Sequence, residues 1–181
     1  MHVQGKGFSL IEVMVALVIL VIGLVGVFNL HIVSKRGSFE SFQQTQAAYF
    51  ANDIVNRMKL NKSELASYVG NYSGGGTEPK KCDVAPGANV ICTNSETRLW
   101  DLYQWQSQFT GHNEKSGTQL VGGLDKPTAC IKLQGNQVSV IMTWQGIRKL
   151  KDGAANQSTE IQGCGTASDR RRVFVLNTRI L

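Results

Sequence analysis

The sequence predicts an α+β fold, in which a long N-terminal helix precedes a small antiparallel sheet. An apolar run begins at Phe8, apolar residues then recur at helical spacing as far as Met58, and apolar and polar residues alternate after Ala129. With 181 residues, the chain has room beside this helix for one globular domain of ordinary size and not for two.

The N-terminal apolar run is long enough to cross a membrane. Val13 to Phe28 carries no polar side chain. As a helix, Phe8 to Val33 reaches about 39 Å, whereas a hydrocarbon core is roughly 30 Å thick. We therefore expect residues 8–33 to form the transmembrane half of a long helix.

A carboxylate, Glu12, lies near the start of this run. An acidic side chain inside a membrane costs a few kcal/mol unless it lies near the interface or has a partner. Glu12 is therefore either hydrated at the headgroup boundary or neutralised by a cation.

Residues Gly7 to Glu12 (GFSLIE) resemble the processing motif of type IV prepilins, which has a glycine, then a phenylalanine, then a glutamate at the fifth position after the cut. The leader, residues 1–7, is too short for a Sec signal peptide, whose own apolar core of roughly 7 to 15 residues precedes its cleavage site. The resemblance implies that a prepilin peptidase cuts between Gly7 and Phe8 on the cytoplasmic side. Phe8 then becomes an N-methylated terminus.

The cut implied by the resemblance supplies a cation for Glu12. The freed amine of Phe8 lies about 6 Å from Glu12 along a helix. In a helical stack of subunits, the amine of one subunit can neutralise Glu12 of its neighbour in an apolar environment, where an unpaired charge is costly. We expect Glu12 to set the register of assembly.

The following segment, residues 34–70, is predicted to be the amphipathic half of the helix. After Lys35 and Arg36, one helical face is apolar. This face comprises Ala47, Phe50, Ala51, Ile54 and Met58. It must be buried against the globular head, which we place at residues 71–181.

A second helix is predicted from Thr97 to Phe109, capped by Ser95 or Thr97. Its tryptophans, Trp100 and Trp105, are interpreted as packing residues rather than as a platform for a ligand.

Three strands are predicted in the last third of the chain. Ala129–Gln134 and Gln137–Trp144 flank a Gly-Asn turn, and Arg172–Ile180 follows a long polar loop. Ile141 is the one apolar residue on the polar face of the second strand. This pattern alone indicates α+β, and the prepilin resemblance implies the pilin fold, in which the sheet packs on the amphipathic half of the helix.

Four cysteines, an even number, lie in the part of the chain expected outside the cytoplasm, where disulfides persist. They allow three pairings. We favour Cys82 with Cys92 and Cys130 with Cys164, because sequential pairs close the shorter loops. A zinc site is disfavoured, since there is no C-x-x-C pair and no histidine close to the cysteines.

No catalytic signature or cofactor motif is present in the sequence, and we expect a substrate of an enzyme rather than an enzyme. The net charge is +6. Two basic clusters, Arg148-Lys149-Leu150-Lys151 and Arg170-Arg171-Arg172, are interpreted as solvated surface. The alternative is that the three arginines form a stripe with Arg148 and Lys149 that binds nucleic acid.

Within the prepilins, Ile11 to Leu20 with the following Ile22-Gly23-Leu24 is similar to the minor pilins of the PilV group, the type IV pilus modification proteins. Major pilins often carry a proline where this chain has Asn29. The resemblance implies a single-pass inner-membrane protein with a periplasmic head. It would join other minor pilins and the major pilin at the inner-membrane assembly platform, prime pilus assembly, and take a place at the fibre tip. The alternatives are a tip-exposed adhesin or DNA-binding minor pilin and a minor pseudopilin of type II secretion.

Overall fold

The computed structural model describes residues 7, 9–83, 89–112 and 114–181. The fold is α+β, with the long N-terminal helix packed on a four-stranded antiparallel sheet. The helices are α1 (Leu10–Leu60), α2 (Asn94–Phe109) and α3 (Thr159–Gln162), with a 3-10 helix at Lys62–Tyr68. The strands are β1 (Gly70–Tyr72), β2 (Lys115–Ser116), β3 (Gln119–Leu120), β4 (Thr128–Gln134), β5 (Gln137–Gln145) and β6 (Arg171–Arg179).

Helix α1 ends at Leu60 rather than at residue 70, where the amphipathic segment was expected to end. The cause is Asn61, which has non-helical backbone angles and whose side-chain amide donates to the carbonyl oxygen of Asn94, 2.7 Å away. The chain divides into two compact units, Met1–Phe39 and Glu40–Leu181, and α1 contributes to both. We call Glu40–Leu181 the head unit.

The sheet of the head unit has the strand order β1-β4-β5-β6, with every neighbouring pair antiparallel. The three predicted strands correspond to β4, β5 and β6, each within one residue of its predicted bounds, and the predicted turn joins β4 to β5. The edge strand β1 was not predicted, because three residues are too few to show an alternating pattern.

The core of the head unit lies between α1 and one face of the sheet. All five residues of the predicted apolar stripe of α1 are buried there. From β5 the core receives Val138, Val140 and Met142, each fully buried. Each such side chain contributes about 2 kcal/mol by leaving water.

The opposite face of the sheet explains why Ile141 is apolar. Ile141 pairs with Cys130 of β4 in the sheet register and forms a second buried cluster with Cys130 and Cys164. A disulfide joins these two cysteines, and another joins Cys82 to Cys92. The structure therefore has the sequential pairing.

Helix α2 begins three residues earlier than predicted. The prediction of Ser95 or Thr97 as its cap was wrong, since Thr93 caps it. The Thr93 hydroxyl accepts from the amide of Glu96, and the Glu96 carboxylate accepts from the amide of Thr93, which is a capping box. Trp105 is fully buried and donates its indole N–H to the carbonyl oxygen of Phe50, 2.8 Å away. This bond ties α2 to α1.

Candidate functional site: the N-terminal segment and the anchors of the head

The first backbone hydrogen bonds of α1 are made by Ser9. The carbonyl oxygen of Ser9 accepts from the amides of Glu12 at 3.0 Å and Val13 at 3.3 Å. Gly7 is exposed. Phe8, the expected site of methylation, and residues 1–6 of the expected leader lie outside the described residues. The cut between Gly7 and Phe8 therefore stays a prediction.

Glu12 is exposed in the first turn of α1, where a negative charge is favoured by the helix dipole. None of the ion pairs among the described residues includes Glu12. Within this part of the chain, the Glu12 carboxylate is therefore exposed and has no ion-pair partner.

From Leu10 to Val33, the surface of α1 is largely apolar. Each large apolar side chain from Leu10 to Val33 exposes between 49% and 79% of its surface. Among the described residues, α1 is the helix that has the length and composition to cross a membrane. A surface of this kind indicates that lipid, or the apolar helices of other subunits, surrounds it.

Two glycines of this segment, Gly23 and Gly26, lie on the same side of α1. A Cβ atom added at either glycine would meet no other atom within 4 Å, so packing within the chain does not require glycine there. Each glycine costs about 1 kcal/mol relative to alanine. Small residues allow a neighbouring helix to approach closely, which makes this side of α1 suited to helix association.

In the head unit, Gln43 anchors a loop to α1. Its side chain is 3% exposed, its Nε2 donates to the carbonyl oxygen of Gly123, and its Oε1 accepts from the amide of Asp125, both at 3.0 Å. The side-chain amide of Gln43 thus donates one hydrogen bond to the loop backbone and accepts another from it, as the backbone of a neighbouring strand would. Gln43 was not predicted from the sequence, although it stands one helical turn before Ala47 and so continues the buried stripe.

Glu40 anchors a second loop, one turn before Gln43. Its carboxylate accepts from the amide of Arg148 at 3.1 Å and pairs with the Arg172 guanidinium at 3.3 Å. Burial alone would raise the pKa of Glu40, but the Arg148 amide and the Arg172 guanidinium outweigh it and hold the pKa below its ordinary value. This ion pair therefore stabilises the head unit at neutral pH.

The basic cluster at residues 170–172 does not form one exposed stripe. Arg171 is 4% exposed, and its guanidinium binds both carboxylate oxygens of Asp152 at 2.8 and 2.9 Å. Arg172 is bound to Glu40, whereas Arg170 is exposed. Both Arg171 and Arg172 therefore hold the head unit together. The interpretation of this cluster as solvated surface was wrong for Arg171, which is buried, and the alternative of one phosphate-binding stripe is not supported, because of these three arginines only Arg170 is exposed.

A partly buried polar network ties α1 to α2. Arg57 binds Asp53 at 3.0 Å and Asp101 at 3.1 Å, and the Tyr68 hydroxyl donates to Asp101 at 2.8 Å. Burial, followed by the hydrogen bond to Asp101, raises the pKa of Tyr68. The network fixes the orientation of the helices and leaves no free acid or base in it for chemistry.

Metal ligands do not cluster in the part of the chain that the structure describes, where no three histidine, cysteine, aspartate or glutamate residues come together. The four cysteines are all in disulfides.

The comparisons with known proteins concern the N-terminal segment. Residues 5–28 match the family described as the prokaryotic N-terminal methylation motif. No curated protein and no solved structure matches the chain. The matched residues include the expected cleavage position, Glu12 and most of the apolar run. The chain thus carries a prokaryotic N-terminal methylation motif at residues 5–28, which is typical of type IV prepilin-like proteins.

Proposed function

We propose that this protein is a minor type IV pilin that joins other minor pilins and the major pilin to prime pilus assembly, with a place at the fibre tip. The observation that carries the proposal is the methylation motif at residues 5–28, most of which lies in the exposed apolar part of α1. Proteins with this motif are structural subunits of pilus-like fibres, and we assign this chain a structural role.

In the proposed pathway, the protein is first inserted into the inner membrane. A prepilin peptidase removes residues 1–7 on the cytoplasmic side, Phe8 is methylated, and residues 8–33 cross the membrane once. Residues 34–70 and the head, residues 71–181, lie in the periplasm. Two disulfides in the head unit support this location, because disulfides persist outside the cytoplasm. The assembly platform then transfers the subunit to the surface pilus.

Glu12 is the proposed register device of assembly. Its carboxylate has no partner among the described residues, and an apolar helix surface surrounds it. The methylated amine of Phe8 from a neighbouring subunit supplies the missing positive charge. Because an unpaired charge in a low-dielectric environment is costly, a subunit in the wrong register is rejected.

The minor-pilin assignment, in the PilV group, rests on the helix sequence. Asn29 stands where major pilins often carry a proline, and α1 has no interruption at this position. A minor subunit that primes assembly needs a helix that docks with its neighbours and a rigid head that selects them. The buried anchors of the head unit supply that rigidity.

The experiment is complementation of a strain in which this gene is deleted, with surface pili counted both with and without a retraction block. We expect wild type to restore pili. Glu12→Ala should be cleaved and methylated normally but enter the fibre at least about tenfold less, since it lacks the charge pair. Glu160→Ala, which removes an exposed carboxylate from α3, is the matched control and should assemble as wild type.

Three results would contradict the proposal. Glu12→Ala could enter the fibre as well as Glu160→Ala does. The deletion strain could assemble normal pili yet lose adhesion or DNA uptake, which would favour a tip-exposed binding subunit. It could instead lose protein secretion with pili intact, which would favour a type II pseudopilin.

A further inference from the structure

A polar cleft of about 290 Å³ lies on the sheet face opposite α1. It is formed where β4 begins and β5 ends. Thr128 and Thr143, which are register partners, lie at its base beside Gln145. Hydroxyl, amide and ammonium groups in its lining come from Thr128, Gln145, Ser73, Thr166 and Lys126, and the apolar lining comes from Pro127 and Trp144. The Thr143 hydroxyl is buried and donates to the carbonyl oxygen of Thr128, 3.0 Å away.

One wall of the cleft is held rigidly. Gly165 has φ +72°, and a Cβ atom there would lie 2.5 Å from the Thr143 hydroxyl, so only glycine allows this approach. The disulfide of Cys164 to Cys130 fixes the neighbouring residue to β4. In addition, Arg171 donates to the carbonyl oxygens of Cys164 and Gly165 at 3.0 and 3.4 Å. The cleft is therefore preorganised rather than formed by a loose loop.

Lys126, on the rim, has a strained backbone. Its φ is +45°, and it is the non-glycine residue with positive φ in the described part of the chain. The strain is greater because Pro127 follows, and a residue before proline favours extended angles. Hydrogen bonds of the preceding Asp125 hold the strained turn, since its carbonyl oxygen accepts from the amide of Gln145 and its amide donates to Gln43. Such strain is typical of binding sites.

The charges of the lining indicate a monoanion. The positive charge of Arg171 is matched by Asp152, which binds it at 2.8 Å. Lys126 belongs to none of the ion pairs formed among the described residues, and no carboxylate lines the cleft. One net positive charge matches a carboxylate, whereas a phosphate dianion would keep an unmatched negative charge. The surrounding hydroxyl and amide groups suit a ligand that carries hydroxyl groups.

We propose that this cleft binds a small hydroxylated carboxylate, the chemistry of a uronic acid unit in an acidic polysaccharide. The Lys126 ammonium binds the carboxylate, and the hydroxyl and amide groups of the cleft bind the sugar hydroxyls. Every residue that the proposal uses belongs to the head unit. Its test measures binding by the isolated protein, so its outcome can be read separately from that of the assembly experiment.

The test titrates the full chain in detergent micelles with glucuronate, using calorimetry and the amide NMR spectrum. We expect saturable binding that glucose, which is neutral, does not reproduce. Lys126→Gln keeps a polar, flexible side chain but removes its charge, and it should weaken binding at least about tenfold. Lys151→Gln, the matched control, removes an exposed lysine outside the cleft and should bind as wild type.

A second variant separates binding from folding. Lys126→Gly relieves the positive φ, so it should unfold at the same or a higher temperature than wild type and still lose glucuronate binding. Absence of saturable binding to wild type would overturn the proposal. It would also be overturned by unchanged binding in Lys126→Gln, or by equal losses in Lys126→Gln and Lys151→Gln, which would show general attraction to positive charge.

Discussion

Single polar side chains, rather than apolar ones, determine how the loops of the head unit are held. Arg171 is the best example, because it keeps a charge at 4% exposure. Asp152 neutralises that charge, and carbonyl oxygens of the loop before β6 accept its remaining donors. Removing one partner of such a group leaves a buried charge unpaired, which costs more than the pair itself contributes.

Asp152→Asn tests this pair through pH. The hydrogen bond from Arg171 is the main cause that lowers the pKa of Asp152 in the folded state. Because the folded pKa lies below the unfolded value, the stabilisation is present above about pH 4 and is lost as pH falls through the folded pKa. We expect the substitution to lower the free energy of unfolding by about 2 kcal/mol at pH 7, and by progressively less as the pH falls below about 4.

Urea unfolding from pH 3 to pH 7 measures this difference. Asp169→Asn, which removes the half-exposed partner of Lys149, is the control and should change stability by less than about 1 kcal/mol. Equal losses in both variants, or a loss that does not depend on pH, would show that Asp152 does not stabilise the head unit through its charge.

At the scale of elements, periodicity predicted the parts of the fold that repeat. The five apolar positions of α1 and the alternation of β5 identified the core, and both were confirmed. Local chemistry was harder to predict: Thr93 caps α2 because Glu96 stands three residues later, a pairing that we overlooked. The edge strand β1 has no pattern of its own and exists because β4 offers it backbone partners.

The anchors of the head unit were not predicted for a different reason. Glu40 and Gln43 are polar residues in a helix, and their partners lie about 80 to 130 positions further along the chain. No local pattern reveals which loop comes back to them. By contrast, the N-terminal motif is contiguous, so the order of its residues was enough to identify it, although its role in register remains a prediction.

The two disulfides should contribute unequally to stability. Cys130 and Cys164 are separated by 34 positions and are buried, whereas Cys82 and Cys92 are separated by 10 positions and are partly exposed. Loop-closure entropy predicts about 4 kcal/mol for the longer loop and about 3 kcal/mol for the shorter.

Double Cys→Ser variants measured by thermal unfolding test this order. We expect the Cys130/Cys164 pair to lower the melting temperature more, because two hydroxyl groups would also be buried beside Ile141. A larger loss from the Cys82/Cys92 pair would mean that the loop it closes is part of the folding core, contrary to the arrangement described above.

At the scale of the whole molecule, the chain has two parts: a segment whose apolar surface is exposed, and a head unit that has its own buried core. None of the described residues before Glu40 is buried within the chain, whereas the buried residues of α1 begin at Gln43. The head unit contains both core clusters and both disulfides. Its stability should therefore not require the apolar run.

A fragment of residues 40–181 tests this independence. We expect it to be soluble without detergent and to unfold in one cooperative transition, because every buried contact of α1 is retained. Near-UV circular dichroism and thermal unfolding measure this.

A shorter fragment, residues 47–181, lacks Glu40 and Gln43 and so frees the loops at Gly123 and Arg148. It should be less stable than residues 40–181 by about 3 kcal/mol. If residues 40–181 aggregated or unfolded without cooperativity, the apolar run would be needed for folding; if both fragments were equally stable, Glu40 and Gln43 would not be anchors.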